Sequence, residues 1–395
     1  MCKINKSELS AIVEKMSVMA SAEVKAVFTL YAKKTEDKYI NSVRLTNKNE
    51  QAMVSFVIPA EGEDKTATSF SVESKRFVDV AASLLTFDKD VDIAVADGAV
   101  MLSIENTSLS IPTTNAPDEV KFDKTGAVAA TIEGKAFNTV FRKGGFAVDK
   151  NSSRPQCKAA TLEIELSDEK TVKVSSSDGN IIAFANTNAQ QLKVAEGNEA
   201  ESLKIAIPGE AIEKILKLTS GAQAVNLMAT GTQLAVMAGG TVYTCGLATQ
   251  SMDVSKFLQS WNALKLEEGV TVDAESVLNA IKVLSVANPD CKGYSLDANE
   301  ESFELTTAGG KQKVSLFPIE TLEVFENSEM GISKFYLEKI VKNLNKGNIT
   351  IRTNNAGSVP FVITNGTCKE PDTKAVAYVM KMKLSVAAPK AEEAE

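Results

Sequence analysis

The sequence predicts an α+β fold made of six similar units, each a short amphipathic helix joined to antiparallel strands. Three observations predict it. Apolar residues recur at i, i+3, i+4 and i+7 six times, each time as one face of a helix. The six copies start about 60–75 residues apart, a spacing that marks a repeat architecture. Most copies follow a short strand-like run and precede several alternating ones, bounded by Gly, Asn and Pro.

The helical copies are Leu9/Ile12/Val13/Met16, Phe77/Val80/Ala81/Leu84 and Phe137/Val140/Phe141/Gly144, then Ile212/Ile215/Leu216/Thr219, Val277/Ala280/Ile281/Leu284 and Leu337/Ile340/Val341/Leu344. The fourth unit reads most clearly. Leu203–Ile207 alternates as a strand, Pro208-Gly209 turns, and Gly209–Leu218 is the helix. Ala224–Ala229, Gln233–Met237 and Thr241–Leu247 are strands, divided by Thr230-Gly231 and Gly239-Gly240. In the sixth unit Ser333 can cap the helix and Gly347 can end it. Asn348–Arg352, Val359–Ile363 and Ala377–Leu384 are its strands.

One unit exposes an apolar sheet face that it cannot bury alone. Two together make a domain of common size. Three domains are expected, at 1–125, 126–250 and 251–384, with joins near Lys124–Ala127 and Gln250–Glu268. The second join holds the single tryptophan, Trp261, read as an anchor packing the linker Lys256–Leu264 onto a domain. Residues 385–395 are small, acidic and aperiodic, and read as a disordered tail.

Composition narrows the function. With 395 residues, 44% of them hydrophobic and 24% charged, the chain has ample material for more than one core. No apolar run approaches the ~18–20 residues that span a bilayer, and the first residues have no signal-peptide core. Five scattered cysteines without a C-x-x-C pair indicate neither a zinc site nor a disulfide framework. A cytoplasmic setting is expected. The chain contains no histidine, which removes the usual general base and the commonest metal ligand. A protein that is not an enzyme and needs no cofactor or metal is expected. A hydrolase using carboxylates has no supporting constellation.

The net charge is −8, yet several helices place cations opposite their apolar face. Lys339, Lys342 and Lys346 oppose Leu337/Ile340/Val341/Leu344. Lys214 and Lys217 do the same in the fourth copy, Lys282 in the fifth, and Lys135 and Arg142 in the third, where Lys143, Lys150 and Arg154 follow. Surface helices carry lysine in any case. If these helices share one surface, however, that surface is positive on a negative protein and attracts a polyanion through its phosphates. No aromatic residues interleave with the cations, so duplex tracking fits better than single-strand stacking.

Gly144-Gly145 and Gly309-Gly310 lack the spacing of a phosphate loop and read as turns or helix ends. Ser177-Asp178-Gly179-Asn180 reads locally as a β-turn between strands.

Three segments resemble the bacterial sliding clamp, the β subunit of the replicative DNA polymerase. Phe146-Ala147-Val148, Arg154-Pro155, Ala160–Leu166 and Ser175–Asn180 resemble that family's second-domain run, which ends in Thr-Asp-Gly-His-Arg-Leu. Ile207-Pro208-Gly209 opening a helix, followed by strands ending in Tyr243-Thr244, resembles the second half of that domain. Ala377–Leu384 resembles the carboxy-terminal Tyr-Val-Val-Met-Pro-Met-Arg-Leu.

The resemblance implies three clamp domains per chain and a head-to-tail homodimer closed into a ring around double-stranded DNA. It implies a groove that binds linear peptides of the replicative polymerase, the clamp loader and repair proteins. On the second-domain side the matching positions are Cys157, Ser177, Gly179, Asn180, Ile181 and Ile182. On the third-domain side they are Tyr336, Ser358, Val379, Met380, Met382 and Lys383. The dimer's apolar contacts fall near the end of the fifth helical copy, about Leu284 and Val286, which periodicity alone reads as core. The chain departs from the family at Asn180-Ile181 for His-Arg, at Lys381 for the proline between the methionines, and at Thr249–Asp253. The competing reading is a β-rich structural or assembly protein without a DNA role.

Overall fold

The computed structural model describes residues 2–384 except for 36–37, 49–51, 63–67, 116–121, 168–169, 196–199, 263–265, 267, 309, 326–329, 345–346, 355–358 and 368–370. One motif, strand–helix–three strands, runs through the chain six times. The first copy is β1 (Cys2–Ile4), α1 (Lys6–Ser17), β2 (Lys25–Thr35), β3 (Lys38–Lys48) and β4 (Ala52–Gly62). The second is β5 (Thr68–Glu73), α2 (Ser74–Leu84), β6 (Val91–Ala96), β7 (Ala99–Ile104) and β8 (Thr107–Pro112). The third is β9 (Val128–Glu133), α3 (Gly134–Gly145), β10 (Ala159–Glu165), β11 (Thr171–Ser177) and β12 (Ile181–Asn188), with β13 (Gln191–Val194) appended. The fourth is β14 (Ser202–Pro208), α4 (Gly209–Leu218), β15 (Ala224–Ala229), β16 (Gln233–Ala238) and β17 (Thr241–Gly246).

A short helix, α5 (Ser255–Asn262), occupies the stretch that the sequence reading treats as a linker. The side chain of Trp261 lies outside the described residues. The fifth copy is β18 (Glu268–Asp273), α6 (Ala274–Ala287), β19 (Gly293–Ala298), β20 (Phe303–Thr307) and β21 (Lys313–Leu316), with β22 (Glu320–Thr321) appended. The sixth is β23 (Met330–Ser333), α7 (Lys334–Leu344), β24 (Asn348–Thr353), β25 (Phe361–Gly366) and β26 (Pro371–Val379), followed by β27 (Met382–Lys383). The run Ala377–Leu384, expected as one strand, is therefore split at Met380-Lys381, because its two halves join different sheets.

Local chemistry explains the helix positions. Asn5 accepts the Glu8 backbone N–H, and the Glu8 carboxylate accepts that of Asn5, a reciprocal cap that starts α1. Asp273 caps α6 through the Ser276 N–H at 2.7 Å. The apolar stripes are buried as their spacing requires: Leu9, Ile12 and Met16 in α1, Val277, Ala280, Ile281 and Leu284 in α6, Leu337, Ile340, Val341 and Leu344 in α7. At Gly144 a Cβ would stand 2.3 Å from the Val174 carbonyl oxygen, so only glycine allows α3 to approach β11 this closely.

The chain separates into two compact units. The first comprises Met1–Asn138, Ala189–Ile205 and Glu210–Leu247. Its sheet runs β13-β9-β15-β16-β17-β4-β1-β6-β7-β8, with β3 and β2 branching from β4 and β5 lying on β2. Phe28 stacks on Phe70 at 4.9 Å and tilts against Phe77 at 4.4 Å in its core. The second comprises Thr139–Asn188, Ala206–Gly209 and Ala248–Glu395. It contains a sheet through β10-β11-β12-β26-β25-β24-β18-β22 and a smaller one, β21-β20-β19-β23-β27.

The third strands of the repeats obey a rule. β4 of the first copy pairs antiparallel with β17 of the fourth, Thr241 opposite Phe56. β12 of the third pairs antiparallel with β26 of the sixth, Ile181 opposite Val379. The two that remain, β8 and β21, end their sheets among the described residues.

Candidate functional site

The turn between β11 and β12 is built by its own side chains. Ser177 Oγ accepts the Gly179 N–H at 3.0 Å, and Asp178 Oδ1 accepts those of Asn180 and Ile181, both at 2.9 Å. Gly179 has φ +97°, and a Cβ there would lie 2.9 Å from an Arg154 guanidinium nitrogen. Two contacts fix this turn to α7. Asp178 Oδ2 lies 3.7 Å from Lys339 Nζ, and Asn180 Nδ2 donates to Tyr336 Oη at 2.8 Å. Burial, followed by the negative charge of Asp178, raises the Tyr336 phenol above its ordinary pKa, so the hydroxyl stays protonated at neutral pH.

Beside the turn the sheet divides its residues between two faces, because strand side chains alternate. Ile181, Val379 and Phe361 stand opposite one another across β12, β26 and β25, all fully buried. Ile182, Tyr378 and Val362 form the equivalent row on the other face. That row is covered by Val254, with Met252, Leu258, Leu266 and Val376 packed against it. Burial pushes the Tyr378 phenol up to about 12.

The groove positions inferred by resemblance thus fall into separate environments. Gly179, Asn180, Tyr336 and Met380 come together: Met380 is 41% exposed, and its N–H donates to the Asn180 carbonyl at 3.2 Å. Met382 is partly buried on β27, opposite Gly331, and Lys383 beside it is exposed. Ile182 lies in the covered row. Ile181, Val379, Cys157 and Ser177 are buried, the first two because strand alternation turns them to the opposite face. Ser358 lies outside the described residues. Sequence reading misses Tyr378, Val362, Val254 and Leu258. Their only signal is the Val254/Leu258 spacing of one helical turn; the strand neighbours of Ile182 are set by register, which the sequence does not display.

Lys381, standing between the methionines, turns inward. It is buried, its ammonium donates to the Asn354 carbonyl, and it sits 5.2 Å from the centroid of the Phe361 ring. Burial lowers its pKa while the Glu268 carboxylate raises it; burial raises that of Glu268 in turn.

The cationic positions also divide. Lys135 and Arg142 on α3, Lys150 and Arg154 after it, Lys217 on α4 and Lys282 on α6 are exposed, and Lys214 is half-buried. Lys143 is buried, with 6% exposure, and so is not an accessible cation on this chain. Lys339 is engaged by Asp178, and Lys342 lies 2.5 Å from Glu338 one turn earlier. Lys346 lies outside the described residues. Of the two interface candidates, Leu284 is buried in the α6 core and Val286 is 79% exposed; Val283 beside it is 58% exposed. Phe317, directly after β21, is 91% exposed.

No family model and no curated protein sequence matches the chain. Solved structures do. The DNA polymerase III subunit β of Pseudomonas aeruginosa superposes with a TM-score of 0.77 at 14% identity, covering 97% of this chain and all of that one. The Helicobacter pylori β clamp bound to a DNA ligase peptide gives 0.77 at 15% identity over the same shares. A DNA polymerase III β subunit described as putative, from Eubacterium rectale, gives 0.73 at 14% identity, covering 96% and 99%. The chain has the β-clamp fold over nearly its whole length.

Proposed function

We propose that this chain is a sliding clamp, a non-catalytic processivity factor whose two copies close head to tail into a ring around duplex DNA. The observation that carries the proposal is the pairing of third strands. Copy one pairs with copy four, and copy three with copy six. The same step of three from copy five leads past the end of the chain to copy two of another chain. That joins β21 of one molecule to β8 of the next. Two such joins close a dimer of six two-repeat domains and remove both exposed edges. On this reading the domains are residues 1–125, 126–250 and 251–384. Val286 and Phe317, exposed on the single chain, supply apolar contacts beside the join.

The exposed cations of α3, α4 and α6 would face the DNA. They would hold it by weak phosphate contacts that carry no sequence information. The groove around Asn180, Tyr336, Met380 and Met382 would take linear peptides from polymerases, the clamp loader and repair enzymes. The ligase peptide held by the H. pylori clamp is one such ligand class. Methionine suits this task because it repacks around different anchors. No described helix is long and apolar enough to cross a membrane, in keeping with a role on cytoplasmic DNA.

The test has two arms. Solution mass by light scattering should be twice 42.2 kDa. The loaded protein should stay on circular DNA and slide off after linearisation. A monomer at micromolar concentration, or equal retention on both DNA forms, rejects the ring and leaves the assembly-protein reading.

A further inference from the structure

β13 and β22 occupy equivalent places. Each follows the third strand of its copy, pairs with that copy's first strand and ends its sheet among the described residues. β13 is blunted as sheet edges usually are, with Gln191 and Lys193 exposed beside Val194. β22 is not. Around it Ile319, Leu322 and Val324 are 51%, 42% and 56% exposed, and no other part of the described chain brings three large apolar side chains into solvent so close together. A register change puts them there. The Ile319 N–H donates to the Thr271 carbonyl at 2.8 Å and the Leu322 N–H to that of Gly269 at 2.9 Å, so three steps along this strip match two along β18. The extra residue shifts the alternation by one, and Ile319 and Leu322 both reach solvent. The strip is firmly held. Phe325 is 1% exposed and exchanges two backbone hydrogen bonds with Ala298, at 2.9 and 3.1 Å, and Thr321 Oγ1 donates to the Asn299 carbonyl at 3.2 Å. Carboxylates border it. Ile319, Leu322 and Val324 share a cleft of about 550 Å³ with Glu300, Glu320 and Glu323, and its lining includes no cation. Lys313, on β21, is already paired with Glu304 at 3.1 Å.

We infer that the β22 edge is a docking strip for an extended segment of a partner protein, one that intersperses lysine or arginine with large apolar residues. Such a segment lies along β22 as an added strand, seats its apolar side chains on Ile319, Leu322 and Val324, and sets its cations against Glu300 and Glu323. Charge selects this occupant over the two that the protein itself could supply. The end of the chain, Ala-Glu-Glu-Ala-Glu at 391–395, is acidic, and the same strip of a second copy would bring like charges together. The inference goes beyond the clamp reading and holds for a single chain. Neither the ring nor the groove enters it.

The experiment uses the full-length chain and the fluorescein-labelled peptide Lys-Leu-Arg-Val-Lys-Leu-Arg, with binding read by anisotropy. The same peptide with serine for each leucine and valine should bind roughly tenfold more weakly, and so should Leu322→Ser/Val324→Ser protein with the original peptide. Glu300→Gln/Glu323→Gln should weaken binding and flatten its dependence on salt. Val194→Ser, on β13, should leave affinity unchanged. An excess of unlabelled peptide with leucine and phenylalanine anchors should not displace the probe, which separates this strip from the groove. Equal binding of the two basic peptides, affinity indifferent to the Leu322 and Val324 changes, displacement by the anchored peptide, or no binding at roughly millimolar peptide overturns the inference. Tighter binding after removal of residues 385–395 overturns it in favour of the tail. A particle mass lowered by Leu322→Ser/Val324→Ser overturns it in favour of a second copy. If that double variant does not fold, the serine peptide and Glu300→Gln/Glu323→Gln decide.

Discussion

The carboxylate of Asp178 lies 3.7 Å from the ammonium of Lys339, joining the β11–β12 turn to the middle of α7. The same carboxylate accepts two backbone N–H groups of its own turn. It therefore shapes the turn and fastens it at once. Asp178→Ala should destabilise the protein by about 1.5–3 kcal/mol, the range for hydrogen bonds to a charged group. Asp178→Asn keeps an acceptor for the backbone and should cost less. Urea unfolding of both variants decides; equal losses would assign the whole effect to the ion pair.

Lys339 is consequently a poor probe of DNA contact, since removing it disturbs the turn. Lys217 and Lys282 are exposed helix positions and cleaner ones. Replacing both with alanine should leave thermal unfolding unchanged. It should lower the salt dependence of DNA retention by roughly two units of log–log slope, about 0.9 for each phosphate no longer neutralised. An unchanged slope removes them from the DNA-facing set.

Leu284 and Val286 should separate by phenotype. Leu284 is 1% exposed, so Leu284→Ala leaves a cavity and should cost about 2–5 kcal/mol. Val286→Asp, alone or with Phe317→Asp, should leave the fold intact and halve the particle mass seen in light scattering, because both side chains stand in solvent on the single chain. A dimer that survives the double change places the interface elsewhere.

Met380 is 41% exposed and borders the Asn180–Tyr336 contact. Met380→Ala should change stability by no more than about 0.5 kcal/mol, as surface substitutions do. It should weaken the anchored peptide about tenfold if this methionine is one of the few side chains that dominate binding. Met382→Ala should weaken the same peptide while leaving the particle mass unchanged, since the residues of the proposed groove all belong to one chain. Calorimetric titration and light scattering measure both effects.

Cys245 is buried, and burial pushes its thiol from 9.0 up to about 12, against smaller opposing effects of Tyr243 and Lys214. The folded protein should resist iodoacetamide at pH 8 at this position, while the unfolded chain reacts. Between pH 9 and about 12 the unfolded chain releases a proton that the folded chain keeps. The contribution of this group to stability is thus full below pH 9 and falls as pH rises. Cys245→Ala should remove that part of the alkaline decline in stability. A decline identical to that of the parent protein assigns it to other groups.

Legibility in sequence differs from element to element. The helix Gly209–Leu218 and the strand Ala224–Ala229 stand where the sequence reading puts them. In both, local signals agree: a Pro-Gly turn, a helical stripe, then alternation. Helix α5 escapes such a reading because eight residues carry too little periodicity and its apolar anchors begin before the helix. The strand Ala377–Leu384 reads as unbroken because its composition is continuous. The break at Met380-Lys381 is imposed by two different sheets claiming its two halves.

The sequence by itself determined the sixfold repeat and the buried stripes of the helices. These depend on residue spacing within a few turns, and the hydrophobic effect acts on that spacing directly. Tertiary structure alone decided which third strands meet, that Tyr378 stands beside Ile182 and Val362, and that α5 lies over them. It also decided that Lys339 answers to Asp178. Strand register and long-range ion pairs join residues far apart in the chain, and a shift of one position would exchange the two faces of the sheet while leaving every local signal unchanged.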